Sequence, residues 1–277
     1  MASADPSTRR GPVYGRGFFD LQLAFAGRVA DLSGMPPERA LLDYTNLYIR
    51  FGLGRAFDAA HPTWRAYLAG LHTAADGGEW THRFYAARAG ADGRPDVVAE
   101  FGCFSYGRLS GDRIRLHFQN AEPPDRSPLG ADRRDQRLAE LDALFAHVER
   151  AAAPAPRVVG ASWLYNLEAY RRLFPPAYLA TARAVDGRFR HMPLWGQFLD
   201  RRGEVKEPVA RELLGRLDRA RGLDDLDRCF PLPVLTLEAP AHEFCDFYRA
   251  SREWRSGVYA GLDGHGATPR PPRGDRP

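Results

Sequence analysis

The chain has 277 residues, 44% hydrophobic and 12% aromatic, enough apolar mass for one large domain or two small ones. Its 39 basic residues against 35 acidic ones give a formal charge of +4, and Lys206 is the single lysine, so the cations are almost all arginines. They are scattered among acids rather than gathered on one face, which argues against nucleic-acid binding, and no apolar run approaches the ~20 residues that cross a bilayer.

Three cysteines, Cys103, Cys229 and Cys245, are too widely spaced for a zinc motif, and their odd number argues against a disulfide scaffold. With a polar start lacking an apolar signal core, they point to a reducing cytoplasm. Residues 1–12 and 263–277, rich in Pro, Gly, Arg and Asp, read as disordered tails around a single domain over 13–262.

The first part of that domain, 13–75, reads as helical. Phe18, Leu21, Phe25, Val29 and Leu32 share one helical face, and Gly34 is a stop. Pro36-Pro37 opens a second helix through Leu41, Leu42, Leu47 and Tyr48, which Gly52 and Gly54 break; Pro62 opens a third through Trp64, Tyr67, Leu68 and Leu71. From 76 to 250 the pattern is sheet with flanking helices. Glu79–Arg88 is expected as a strand, Asp92-Gly93 as a hairpin turn, Val97–Tyr106 as a second strand and Arg113–Phe118 as a third, forming an antiparallel meander. Then come a helix over Asp132–Arg150, a strand over Val158–Trp163, a short helix over Leu167–Phe174 ended by Pro175-Pro176, and a strand over Leu194–Leu199. A helix marked by Val209, Leu213 and Leu217, a strand over Val234–Leu237 and a helix over His242–Tyr248 close the series.

This order, together with His117 near a strand end, Pro128-Leu129, the 132–150 helix and Ser162-Trp163-Leu164, resembles the GNAT-type acyltransferase fold, and more narrowly the GNAT-like domains of poorly characterised bacterial proteins. The likeness covers residues 113–220 and the meander before them. It implies an α/β fold of α+β character: a mixed sheet flanked by helices under an N-terminal helical cap. In that fold two strands splay to admit the arm of acyl-CoA. The resemblance therefore implies an N-acyltransferase that moves an acyl group from acyl-CoA or another thioester to an amine, with small-molecule partners and no metal. The donor's pyrophosphate would sit at Arg126, Gly130 and Ala131, on backbone N–H groups opening a helix. Two departures stand in the residues. The glycine of the phosphate loop is displaced by one with Pro128 inside it, and Leu173 stands where the family often places a general-acid tyrosine, although Asn166 and Ala169 match. A non-catalytic binding or interaction protein on the same fold is the alternative.

The catalytic candidates are His117, whose imidazole could take a proton from an amine at neutral pH, and Glu122 just past the same strand. Each has a plainer reading: a structural histidine of the sheet and a solvated loop acid. Ser162, Tyr165 and Asn166 lie at a strand-to-helix junction and are candidates for substrate binding. If they line a site, Ser162 and Asn166 share a concavity with His117; if they are structural, Asn166 caps the following helix and Ser162 bonds to backbone. Gly160-Ala161-Ser162-Trp163-Leu164 also imitates a hydrolase elbow, with His191 or His242 as base, but lacks the final glycine. Trp163, Tyr165 and Trp195 read as pocket or core, and His61, His72 and His82 have no metal-ligand spacing.

Overall fold

A computed structural model of the chain describes residues 14–88, 97–123, 126–151, 156–185 and 191–255, with 253–255 by backbone alone. Both expected tails and the Asp92-Gly93 turn lie outside the described residues. The fold is mixed α/β: an open six-stranded mixed sheet with flanking helices and an N-terminal helical region.

The helical region follows its sequence signals. Helix α1 (Arg16–Ser33) buries Phe18, Leu21, Phe25 and Val29 along one face. It stops where Gly34, at φ 70°, turns its N–H back to the Ala30 carbonyl at 2.8 Å, a left-handed cap that glycine adopts without strain. The second helix is broken in two, α2 (Pro37–Tyr44) and α3 (Leu47–Arg50). At the break the Thr45 hydroxyl donates to the Leu41 carbonyl at 2.6 Å, and the Asn46 N–H donates to the buried Gln22 amide of α1 at 2.9 Å. Backbone groups freed by the break thus find side-chain partners, as burial requires. Helix α4 (Pro62–Thr73) begins at His61, whose ring nitrogen accepts from the Thr63 N–H at 3.2 Å.

Two expected strands are helical. Over 79–88 the chain forms α5 (Gly77–Ala86) instead. Trp80, His82 and Phe84 do alternate, yet Gly78, Thr81, Phe84 and Tyr85 are the residues that point inward, a spacing of three and four. Asp76 caps this helix, its carboxylate accepting from the Glu79 N–H at 2.9 Å. Over 194–199 the chain forms a 3-10 helix, Met192–Phe198, started by Pro193 and burying Leu194, Trp195 and Phe198.

The sheet begins with β1 (Val97–Phe101), β2 (Phe104–Leu109) and β3 (Arg113–Phe118), an antiparallel meander. The single strand expected over 97–106 is therefore two, folded at Gly102-Cys103. Gly102, at φ 58°, takes the first turn position, and a Cβ there would stand 2.1 Å from the Glu140 carboxylate, so glycine is needed twice over. Helix α6 (Arg134–Ala151) crosses back to β4 (Arg157–Ser162), which runs parallel to β3. Short helices α7 (Glu168–Arg171) and α8 (Pro176–Leu179) lead to β5 (Arg183–Ala184). Helices α9 (Glu207–Arg219) and α10 (Leu223–Asp227) precede β6 (Leu235–Pro240), which inserts between β4 and β5, and α11 (Ala241–Arg255) follows.

Buried apolar side chains form two clusters. One joins α1–α5 to the 3-10 helix, α9, α10, Phe230 and Val234. The other lies between one face of the sheet and helices α6, α7, α8 and α11, with Phe104, Ile114, Leu116, Val158 and Leu237 facing inward from the strands. The opposite sheet face carries Arg113, Arg115, His117 and Val159, because side chains alternate along each strand and paired residues share a face. The 3-10 helix packs against β4 on its way between the two clusters.

Candidate functional site

The parallel pair β3–β4 is in register for three residues, Arg113 with Arg157, Ile114 with Val158 and Arg115 with Val159, and then the ladder ends. Beyond it the carboxyl halves of the two strands carry His117 and Ala161. Adjacent parallel strands that lose their pairing toward their carboxyl ends make a crevice, the usual place for a ligand in open α/β sheets. On the face toward α6 the aromatic core closes this crevice. Tyr170 lies 5.3 Å from Phe118 between ring centres, and the hydroxyls of Tyr165 and Tyr178 stand where a Cβ on Gly160 would be, at 2.1 Å. On the face carrying His117, Ser105 and Val159 are buried, and the 3-10 helix Met192–Phe198 packs against β4.

His117 sits mid-sheet beside Ser105 of β2. Burial and the guanidinium groups of Arg55 and Arg115 push its imidazole from 6.5 down to about 4, so the ring is neutral at physiological pH. Arg55 comes from the loop after α3, Arg115 from the next same-face position on β3, and burial beside Arg55 and Arg113 lowers the Arg115 guanidinium in turn. The Arg115 Nε is shielded from solvent and has no hydrogen-bond partner among the described residues. Sequence reasoning missed both arginines: Arg115 is one of many in a +4 chain, and Arg55 is 60 residues away along it.

The Glu122 side chain is 8% exposed and paired, not a solvated loop acid. Arg137, 1% exposed, donates to it at 2.7 Å and also meets Glu140 at 2.8 Å. Glu140 in turn accepts from the Cys103 N–H at 3.0 Å, and the Arg137 guanidinium touches the Cys103 sulfur. This network clamps the β1–β2 turn and the 119–122 segment to α6, and it employs Glu122 structurally.

The 126–132 loop does not present a free phosphate cradle. Arg126 is exposed, but the Gly130 N–H is taken by the Ser127 carbonyl at 3.2 Å. Asp132 leans over the loop, its carboxylate 2.5 Å from where a Gly130 Cβ would stand and 3.4 Å from the Arg133 Nε. Acids in the first turn, Asp132 and Asp135, take the favourable place that an incoming anion would seek, and Ala131 is the first residue of the 3-10 turn that carries Asp132.

Of the two outcomes open for Ser162 and Asn166, the shared concavity with His117 is not formed, because Ser162 does not share a face with His117. Ser162 has the parity of Val158 and Gly160 and pairs with Leu235, so it lies on the aromatic-core face, opposite His117. Its Oγ accepts from the Leu164 N–H at 3.1 Å, capping the 3-10 helix Trp163–Asn166. Asn166 is not the cap of α7 either. Its amide donates to the carbonyls of Trp163 at 2.8 Å and Pro233 at 2.9 Å, tying the turn to the entry of β6. Tyr165 is core: its hydroxyl shares a 2.8 Å hydrogen bond with Tyr178, and burial raises both phenols.

The hydrolase arrangement is absent as well. Ser162 has ordinary extended backbone and a cap to make, while the buried ring of His191 sits between Tyr44 and Phe230 and meets Asp227 at 2.6 Å. Trp195 is core, packed edge-on to Phe25. A hollow of about 180 Å³ lined by Tyr106, Arg108, Asp112 and Arg113 opens at the other end of the sheet from His117. Among the described residues no cluster of three or more His, Cys, Asp or Glu could hold a metal, and no helix is long and apolar enough to cross a membrane. No family model, curated protein or solved structure matches the chain.

Proposed function

We propose that the chain is an N-acyltransferase of GNAT-like kind, moving an acyl group from an acyl thioester, acyl-CoA or another carrier, to a small-molecule amine at the parting of β3 and β4. The observation that carries this reading is the ladder that ends after Arg115 and Val159, with His117 the next side chain on that face and its imidazole neutral. In this reading the amine nitrogen attacks the thioester carbonyl, a C–N bond forms as the C–S bond breaks, and the thiol leaves. His117 takes the proton the amine must lose. Backbone groups left free where the ladder ends polarise the carbonyl. The reaction needs no metal, and Glu122, held by Arg137, has no part in it.

A non-catalytic binding protein on the same fold is the second reading. It is favoured by Asp132 over the phosphate loop and by the Tyr165–Tyr178 pair against Gly160, both of which take space a thioester donor uses in this kind of fold. Calorimetric titration with acetyl-CoA and longer acyl-CoAs, with thermal shift alongside, separates the two. The transfer reading expects heat, a raised melting temperature, and amine-dependent thiol release that His117→Gln abolishes while binding persists. No heat and no thermal shift with any acyl-CoA rejects the CoA form of the proposal.

A further inference from the structure

The sheet face above β3 holds positive charge that meets no ion-pair partner among the described residues. Arg115 and His117 are two residues apart on one strand, so their side chains leave the same face about 7 Å apart. Arg55, on the loop after α3, is near enough for its charge to act on both, and Arg113 adds to Arg115 from the preceding same-face position. Two other arginines show the contrast: Arg157 meets Glu238 at 2.5 Å on this same face, and Arg137 holds two carboxylates. Glu100 faces the same side, but on β1, two strands from His117. Among the described residues neither Arg55 nor Arg115 makes an ion pair, and the Arg115 Nε is shielded without an acceptor. Drawing like charges together out of water is costly. Arg115 combines a shielded Nε with no ion pair among the described residues, where the β3–β4 ladder ends, so its guanidinium has donors to offer an anion.

We propose that Arg55, Arg115 and His117 form a binding site for the anionic group, carboxylate or phosphate, of a small molecule seated where β3 and β4 part. Arg115 supplies the planar fork such groups fit, Arg55 closes over from the helical side, and His117 lies beside the bound charge. The site belongs to the cleft of the transfer reading, and it stands equally if no transfer occurs. In the transfer reading it selects an acceptor that carries an acidic group next to its amine, or it anchors the donor's own phosphates.

The test follows the His117 ring by proton–carbon NMR of the full chain, assigned with His117→Gln, through pH titrations with and without inorganic phosphate or acetate. A bound anion favours the protonated ring, so its titration midpoint is expected to rise by about one pH unit or more in saturating phosphate. Phosphate affinity, read from the same resonance, is expected to fall at least fivefold in Arg55→Ala and in Arg115→Gln. Arg55 is exposed, so its variant keeps the test alive if Arg115→Gln fails to fold. No movement with either anion, or equal movement in folded Arg55→Ala, overturns the proposal. With the site present, competition assigns the source: displacement of phosphate by acetyl-CoA but not by acetyl-pantetheine gives the anion to the donor, and lack of displacement gives it to a second ligand. Because phosphate is the probe, the result is independent of acyl-CoA calorimetry. A phosphate-sensitive His117 without acyl-CoA heat removes the transfer reading alone, and the reverse removes the anion site alone.

Discussion

Acid should weaken this fold through His117 in a way that a single substitution removes. The imidazole stands at about 4 in the folded chain against an ordinary 6.5, held down by burial, Arg55 and Arg115. A histidine depressed in the folded state is protonated first in the unfolded chain. Its effect on stability is thus negligible above pH 6.5 and grows as pH falls toward 4, below which it stays constant. At 1.36 kcal/mol per pKa unit the full gap is about 3 kcal/mol, and at pH 5 about 2 kcal/mol of it is lost. Carboxylates titrate in the same range, so the useful quantity is a difference. Urea unfolding, followed by tryptophan fluorescence at pH 7 and pH 5, is compared between the wild-type chain and His117→Gln, which keeps a polar side chain that does not titrate. The variant is expected to lose about 2 kcal/mol less than wild type between the two values. Equal losses would mean that His117 is solvated and far from the two arginines, and the reasoning that places a neutral base and an anion site on this face would fall with it.

Gly160→Ala puts a methyl 2.1 Å from the hydroxyls of both Tyr165 and Tyr178, so it is expected to cost about 3 kcal/mol in chemical denaturation. Tyr178→Phe in the same background should recover part of that loss. Removing Arg137 as Ala strands Glu122 and Glu140 near the Cys103 turn and should cost about 3–5 kcal/mol, checked by the same assay. Asn166→Ala frees the Pro233 and Trp163 carbonyls and should lower stability by about 1 kcal/mol while leaving any acyl-CoA or phosphate affinity unchanged by calorimetry.

The architecture was legible wherever local chemistry and burial agreed. Gly34, Pro37 and Pro62 bound the helices they announce, and the alternation of Arg113–Phe118 becomes β3 with its apolar half inward. The failures have physical causes. In α5 the alternating aromatics obscured the 3.6-residue spacing, although Asp76 followed three residues later by Glu79 is a helix-start signal that was there to read. Leu194–Leu199 has a strand's composition, but Pro193 and packing against Phe25 and Phe230 favour a 3-10 turn, a tertiary effect no local pattern contains. Gly102 looked like an interior strand residue, and its turn is visible only as the pairing of Phe101 with Phe104. At the candidate site His117 was readable from its strand. The face opposite to Ser162 and the approach of Arg55 depend on register and on tertiary contact, and neither is written in a linear motif.

The position of β6 has a consequence for the order in which the molecule can be made. Among the described residues β5 pairs with β6 alone, yet β6 leaves the ribosome about fifty residues later, after α9 and α10. The helical region waits in the same way, since Phe25 of α1 is covered by Trp195 and Phe230 from the same late stretch. Neither cluster can close during early synthesis, so the nascent chain carries open aromatic surface until its last third emerges. Its yield in a cell should accordingly depend on holdase chaperones more than its length alone would suggest.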